Sequence, residues 1–530
     1  MTRVMIEKQV RDLRVRLENQ AAKFEMREEQ LKESINVLKN GLGNMPIQIK
    51  MLQKYIHERE ATIDKLQDEV AELKKENRKL TELVEKFKLI ISKLTARLKK
   101  NSSTSDKPPS TDVFVKPKPQ SLREKSGKKP GGQLGHKGHG PKLFENPSQI
   151  IEKKPCTCEN CGCDNIEVGE EYARRQLVDL EINVNVTEER VFSGVCLKCG
   201  SAVSEEFDEE YKGPLQYGVN LRSIITLLNE YGCISDSRTA EIVNSISGSI
   251  LNISWGTIVN IRKELAEKLE ATINAIREAL IICDVMNGDE TGCRVNGKLN
   301  WIQVFCNNSY TLYGLSEKRG DFDDSMGVLA FFIGILIHDH FSSYYKYKTL
   351  THAECNQHIL RYLKGLVEIF KHDWLERMSN LLKSACHDKN ELLRTGKTEM
   401  PLKDIEKFSD RYDEILKQGW EEYKAATQGD EQKEKYYNDE RCLLTRLEEY
   451  KDEHILFLKD FRVPFTNNGA EKMIGLVKVK CKVSGCFRSA DGASWFLRIM
   501  SLISTLRKQN MMVYDGIRSI FLGQDLFSSA

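Results

Sequence analysis

Near the C-terminus the chain reads PFTNNGAEKMIGLVKVKCK, residues 464–482, where Glu471 is the single carboxylate among Lys472, Lys478, Lys480 and Lys482. An acid on a surface suited to anions makes sense as a metal ligand, because a divalent cation turns a carboxylate into part of a phosphate site. Two further acids stand at the ends of apolar strands: Asp289 in NGDETG and Asp339 in IGILIHDH. Adjacent strand ends bring such residues within reach of one ion, and the first strand of this domain laid beside its fourth would do so.

A second constellation is sulfur. CTCENCGC and CLKCG place Cys158, Cys161, Cys196 and Cys199 as two CxxC pairs separated by thirty-four residues. Each pair is half of a tetrahedral thiolate shell, which predicts a structural zinc ion on a β-ribbon, with Cys156 and Cys163 as competing ligands. The other cysteines are scattered, so a disulfide framework is not expected.

The elements that must position these groups are legible from pattern. Residues 1–100 are nearly free of Pro and Gly apart from GLGNMP at 41–46, which separates two helices. The second carries a heptad: Ile63, Val70, Asn77, Val84, Ile91 and Leu98 at one core position, Leu66, Leu73, Leu80, Phe87 and Leu94 at the other. β-Branched residues at a with Leu at d predict a parallel two-stranded coiled coil, with Asn77 fixing its register. Residues 101–150 form a Pro/Gly-rich basic tether; 101–141 hold eight Lys/Arg against three Asp/Glu, a charge balance that attracts polyanions. Residues 151–205 are the zinc-binding domain and 206–280 are helical, with a helix-turn-helix spacing and Ser254 as an N-cap. Strands, a helix-like stretch at 321–332 and a further strand then build an α/β domain from 281–342 and 463–530, interrupted by an all-helical insertion at 343–462. The start, MTRVMIEKQV, has no apolar signal core, and the apolar run at 328–337 is too short to span a bilayer, so a cytoplasmic protein is expected.

Taken in order, NGDETG, HDHFSSYYKY, FTNNGAEK, KVKCKVSGCFRS and DGA, preceded by NSSTSDKPPSTD and KKPGGQLGHKG, resemble the DDE transposases of the insertion sequence 66 family over about residues 75–512. The resemblance implies a ribonuclease H-like catalytic domain with a helical insertion before the last acid. It carries Asp289, Asp339 and Glu471 over as the three acids that hold two Mg²⁺ (or Mn²⁺) ions. Such ions, roughly 3.5–4 Å apart, activate water or a 3′-hydroxyl and stabilise the leaving oxygen, so no covalent protein nucleophile is required. Lys478, Lys480, Lys482 and Arg488 would then hold DNA, and Arg319, in an Arg-Gly pair shared with the family, would lie near substrate. Partners implied are element ends and target DNA, a homodimer or higher assembly through the coiled coil, and accessory proteins encoded by the element, in a bacterial, nucleoid-associated setting.

Neighbouring residues have plainer readings. Glu290 faces away from Asp289 on a strand and reads as structural, and His338 and His340 likewise project away from the face of Asp339. Cys355 and His358 resemble a Cys-x-x-His element that follows the second acid in several DDE transposase groups; a satisfied buried pair is the alternative. Gly475 stands where family members usually have Arg, and Cys481 replaces a usual polar residue. Those departures keep open a catalytically impaired, transposase-derived DNA-binding regulator; a metal-dependent nuclease without strand transfer is a third reading.

Overall fold

The computed structural model of the chain describes residues 3–41, 46–99, 143–171, 173–208, 211–322 and 326–527. Most of the basic tether at 101–150 lies outside the described residues. The chain divides into two compact units.

One unit gathers α1 (Arg3–Gly41) and α2 (Pro46–Lys99) with Arg361–Ser379 and Glu414–Thr445. Helices α1 and α2 touch. Leu73, Leu80, Phe87 and Leu94, one row of the heptad, remain exposed. The other helices of this unit close around Trp374, fully buried, whose indole N–H donates to Glu440 Oε1 at 2.7 Å.

The second unit begins with a short ribbon, β1 (Ser193–Val195) antiparallel to β2 (Ala202–Ser204). Helices α3 (Val219–Thr226), α4 (Asp236–Ile246), α5 (Trp255–Lys268) and α6 (Glu270–Ile281) follow. Ser254 caps α5 as expected, its side chain accepting from the Thr257 N–H at 3.2 Å. The inner face of α5, Ile258, Ile261 and Leu265, belongs to the same apolar core as the sheet.

That sheet has five strands in the order β5-β4-β3-β6-β7: β3 (Val285–Val295), β4 (Lys298–Cys306), β5 (Thr311–Ser316), β6 (Ile335–His338) and β7 (Thr351–Glu354). The β3–β4 hairpin turns on Asn296-Gly297, both with positive φ (47° and 76°), the pairing a two-residue turn demands when its twist must match the strands. β3, β4 and β5 pair antiparallel, while β6 and then β7 add parallel to β3. The first strand of the sheet therefore sits beside the fourth. Two expectations change: residues 327–332 run as loop and turns rather than helix, and β7 lies inside the segment read as purely helical.

Helices α7 (Asn356–Phe370), α8 (Asp373–Arg394), α9 (Leu402–Thr427), α10 (Glu431–Tyr436), α11 (Asn438–Glu449) and α12 (Lys451–Lys459) come before the chain returns through α13 (Asn468–Ser484), α14 (Ala490–Lys508) and α15 (Val513–Phe521). An edge strand has unpaired N–H groups, and α14 answers this on β5 with buried hydroxyls: Ser501 Oγ accepts from the Tyr313 N–H at 3.0 Å and Thr505 Oγ1 from the Thr311 N–H at 3.1 Å.

Candidate active site

The three rungs of the β3–β6 pairing are Val285 with Ile335, Met286 with Leu336 and Asn287 with Ile337. Two residues beyond the last rung come Asp289, in the middle of β3 and paired with Val304 of β4, and Asp339, the residue after the end of β6. Alternation of side chains places Asp289 on the face of Asn287, and Asp339 follows the strand that pairs with β3 closely enough for its charge to raise Asp289.

Glu471 reaches this edge through α13, and a clamp of asparagines sets where that helix starts. Asn467, buried, donates from Nδ2 to the Gly288 carbonyl at 2.7 Å, accepts from Asn287 Nδ2 at 2.8 Å, and gives its backbone N–H to Cys355 Sγ at 3.1 Å. A Cβ on Gly469 would stand 2.9 Å from Asn287 Oδ1, so only glycine lets the helix start this close to β3. The carboxyls are near enough to feel one another: Asp289 is pushed well above the usual carboxylate range by burial first, then by the charges of Asp339, Glu290 and Glu471. Asp339 is raised by burial, against the pull of Arg319 and a hydrogen bond from the Phe341 N–H at 3.3 Å. Glu471 Oε1 is buried and has no hydrogen-bond donor among the described residues. Desolvated carboxylates with an unbonded oxygen are the chemistry that divalent cations bind, which suits the metal that the resemblance implies, although among the described residues Asp289, Asp339 and Glu471 do not bring their ligand atoms within 4.8 Å of one another.

Around them, other groups are occupied. Glu290, buried, accepts from Arg319 Nε and Nη2 at 2.9 and 2.6 Å and from the Tyr344 hydroxyl at 2.8 Å; burial and the charge of Asp339 push it up to about 7. Arg319, expected near substrate, thus braces Glu290 with its guanidinium 4.1 Å from the Phe341 ring centre, while two-fifths of the side chain stays exposed. Its neighbour Gly320 has φ +83° and leaves no room for a Cβ beside Ser343. His338 is buried, lowered to about 4 mainly by burial, and bonds His352 Nδ1 from Nε2 at 3.0 Å. His340 meets Glu354 instead of the acids.

Glu354 is a hub that pattern reading misses. It ends β7, and Arg446 donates to it from Nε and Nη2 at 2.9 and 2.6 Å; His454 Nε2 lies 2.8 Å away, and the Tyr345 hydroxyl also contacts it. Burial alone would raise this acid, but His454, His340 and Arg446 hold it well below the usual range. Its sequence context, THAEC, resembles ordinary loop.

The basic residues divide. Lys478 is half-buried and electrostatically coupled to Asp289; Lys482 and Arg488 are exposed. Lys480, expected to hold DNA, is instead buried: its ammonium donates to the Asn229 carbonyl at 3.2 Å and lies 4.0 Å from Glu230, which commits it inside the fold. Gly475 is exposed, and a Cβ added there would meet open space.

The sulfur pairs each form a matching turn. Gly162 N–H donates to the Cys158 carbonyl and Gly200 N–H to the Cys196 carbonyl, both at 2.8 Å, with both glycines at positive φ. Among the described residues, however, the four Sγ atoms are not gathered in one ligand shell. The grouping of metal-binding side chains found there is Cys355, His358 and Glu471. Burial, then the charge of Glu471, pushes the Cys355 thiol up to about 12.

The structure thus combines a mixed five-stranded sheet carrying Asp289 with a returning helix carrying Glu471. The profile of the Transposase IS66 family matches residues 217–495, more than half of the chain, and the protein belongs to that family. A family of unknown function (DUF6444) matches residues 52–142. No curated protein matches the chain. No helix among the described residues is long and apolar enough to cross a membrane.

Proposed function

We propose that this transposase is a DDE-type enzyme that cleaves element ends and joins them to target DNA by phosphodiester hydrolysis and transesterification. What supports the reading is the parallel pairing of β3, which carries Asp289, with β6, which leads into Asp339, together with the hydrogen bond from Asn467, at the start of the helix that bears Glu471, to the Gly288 carbonyl. The strand order, with its antiparallel meander and two added parallel strands, supports a ribonuclease H-like catalytic domain.

Asp289, Asp339 and Glu471 would hold two Mg²⁺ or Mn²⁺ ions. When bound, these supply the activation of water or a 3′-hydroxyl and the neutralisation of the leaving oxygen. The rest falls to the chain. The Glu290 N–H, 2.8 Å from Asp289 Oδ1, and the Phe341 N–H, 3.3 Å from Asp339 Oδ1, help to orient these two acids. Lys478 places a cation against Asp289, where a phosphate would enter, and Lys482 and Arg488 extend that charge along an exposed face. The neutral His338 takes no part in proton transfer to the acids, since its nitrogens face Asp339's backbone carbonyl and His352. Around this centre, the coiled coil would pair two chains through the exposed heptad row, and zinc would close the two CxxC turns on each other.

A second reading rests on Gly475: where the resemblance expects a guanidinium, this chain has none, which favours a catalytically impaired DNA-binding regulator. Incubating a duplex bearing the element's end with the protein and Mg²⁺ separates them. Cleaved and joined products from wild type but not from Asp339→Asn support the enzyme; bound but intact DNA from both supports the regulator.

A further inference from the structure

Two helix starts meet beside the acid edge. Cys355 immediately precedes α7 and His358 lies in its first turn, while Glu471 lies in the first turn of α13. Cys355 Sγ, a ring nitrogen of His358 and a carboxylate oxygen of Glu471 all lie within 4.8 Å of one another, with His358 Nδ1 and Glu471 Oε1 4.0 Å apart. Cys355 is fully buried, and its sulfur already accepts the Asn467 N–H at 3.1 Å. A sulfur fixed by a backbone donor is how a metal-bound thiolate is oriented by its surroundings.

From this geometry we infer a second metal site, built from Cys355, His358 and Glu471, that takes a zinc-class transition ion and shares Glu471 with the acid cage proposed above. Thiolate and imidazole select soft or borderline ions over Mg²⁺, and three protein ligands leave a fourth position for water, the arrangement of an open zinc site. Binding converts the Cys355 thiol to a thiolate, with its proton released to solvent. Both helix N-termini favour the negative ligands. The small rearrangement needed is the approach of Glu471 Oε1 to the His358 ring. An ion held there anchors Glu471 on the α7 side of the cage, so zinc occupancy and the Asp289–Asp339 chemistry are coupled through one carboxylate.

The test uses the full-length protein with Cys156→Ser, Cys158→Ser, Cys161→Ser, Cys163→Ser, Cys196→Ser and Cys199→Ser, which removes the ribbon's thiolate background, loaded with Co²⁺. The expected result is a sulfur-to-cobalt charge-transfer band and one bound equivalent beyond any held by the acid cage, both lost on adding Cys355→Ser. His358→Gln, which leaves the buried sulfur in place, should lose the equivalent or shift the band, and Asp289→Asn should keep both. Absence of the band in the background protein, or its survival with Cys355→Ser and His358→Gln, overturns the site. The cleavage reading fails separately: Mg²⁺-dependent cleavage by wild type without any Cys355-dependent cobalt band leaves that reading standing and this one fallen, and the band without cleavage does the reverse.

Discussion

The Asn287 side-chain amide donates to the Asn467 side-chain oxygen at 2.8 Å, joining residues 180 positions apart and fixing the start of α13 against the strand that carries Asp289. The helix that carries Glu471 is therefore positioned by an amide pair of buried Asn467 and half-buried Asn287. Asn467→Ala leaves the buried Gly288 carbonyl without its partner, at about 1–3 kcal/mol, and frees the half-buried Asn287 amide. We expect a lower denaturation midpoint and, because small misplacement of reacting groups is costly, cleavage reduced by roughly 10²-fold with DNA binding retained. Binding and cleavage measured on the same variant check this; unchanged cleavage would mean that Glu471 is positioned otherwise.

Gly475 is exposed on α13 with nothing near its absent side chain, so arginine fits there. Gly475→Arg should stabilise the helix by about 0.5–1 kcal/mol and, if the new guanidinium meets phosphate, steepen the salt dependence of DNA affinity by about one unit of slope. Binding titrations across salt concentrations check it. An unchanged slope would place this face of α13 away from DNA.

Lys389, buried, donates to the Val463 carbonyl, and burial lowers it to about 8. The unfolded chain holds this proton up to the ordinary lysine value near 10.5, so between about pH 8 and 10.5 the unfolded state binds more protons and stability rises with pH. The rise should be on the order of 1–3 kcal/mol relative to Lys389→Met, in which it is absent. Denaturant unfolding of both proteins across that pH window measures the difference.

Cysteine substitutions test the ribbon. Cys199→Ser should lower bound zinc by one equivalent and loosen β1 and β2 while leaving the five-stranded sheet intact, as read by metal analysis and hydrogen exchange. Equal zinc content in wild type and variant would exclude a site at these thiols.

The exposed heptad row of α2 makes self-association measurable. Leu73→Glu with Leu80→Glu should convert a dimer to monomer in sedimentation, since charges at d positions cannot be buried in a two-stranded seam. A wild-type monomer would contradict the coiled-coil pairing.

Part of the frame is legible because the apolar run before Asp339 ends with β6 and the capping serine at 254 precedes a periodic helix, whereas β3 runs on past Asp289 to Val295, so that acid sits within its strand rather than at its end. Composition misjudges Lys480 although its spacing carries the answer: Ala470, Ile474, Val477 and Lys480 fall on one helical stripe, and all four are buried. Strand β7 is hidden because four residues, Thr351–Glu354, are too few to display alternation. The Glu354 hub draws on Arg446 and His454, about a hundred positions away, and no local pattern announces such a contact.

The most direct test of the shared-ion claim is a change of metal preference at Asp289. Asp289→Cys should abolish cleavage in Mg²⁺, which rejects sulfur ligands, and regain measurable cleavage in Mn²⁺, which accepts them better. Full activity of the variant in Mg²⁺, or equal loss in both metals while Asp339→Cys and Glu471→Cys behave the same way, would contradict direct metal binding by these acids.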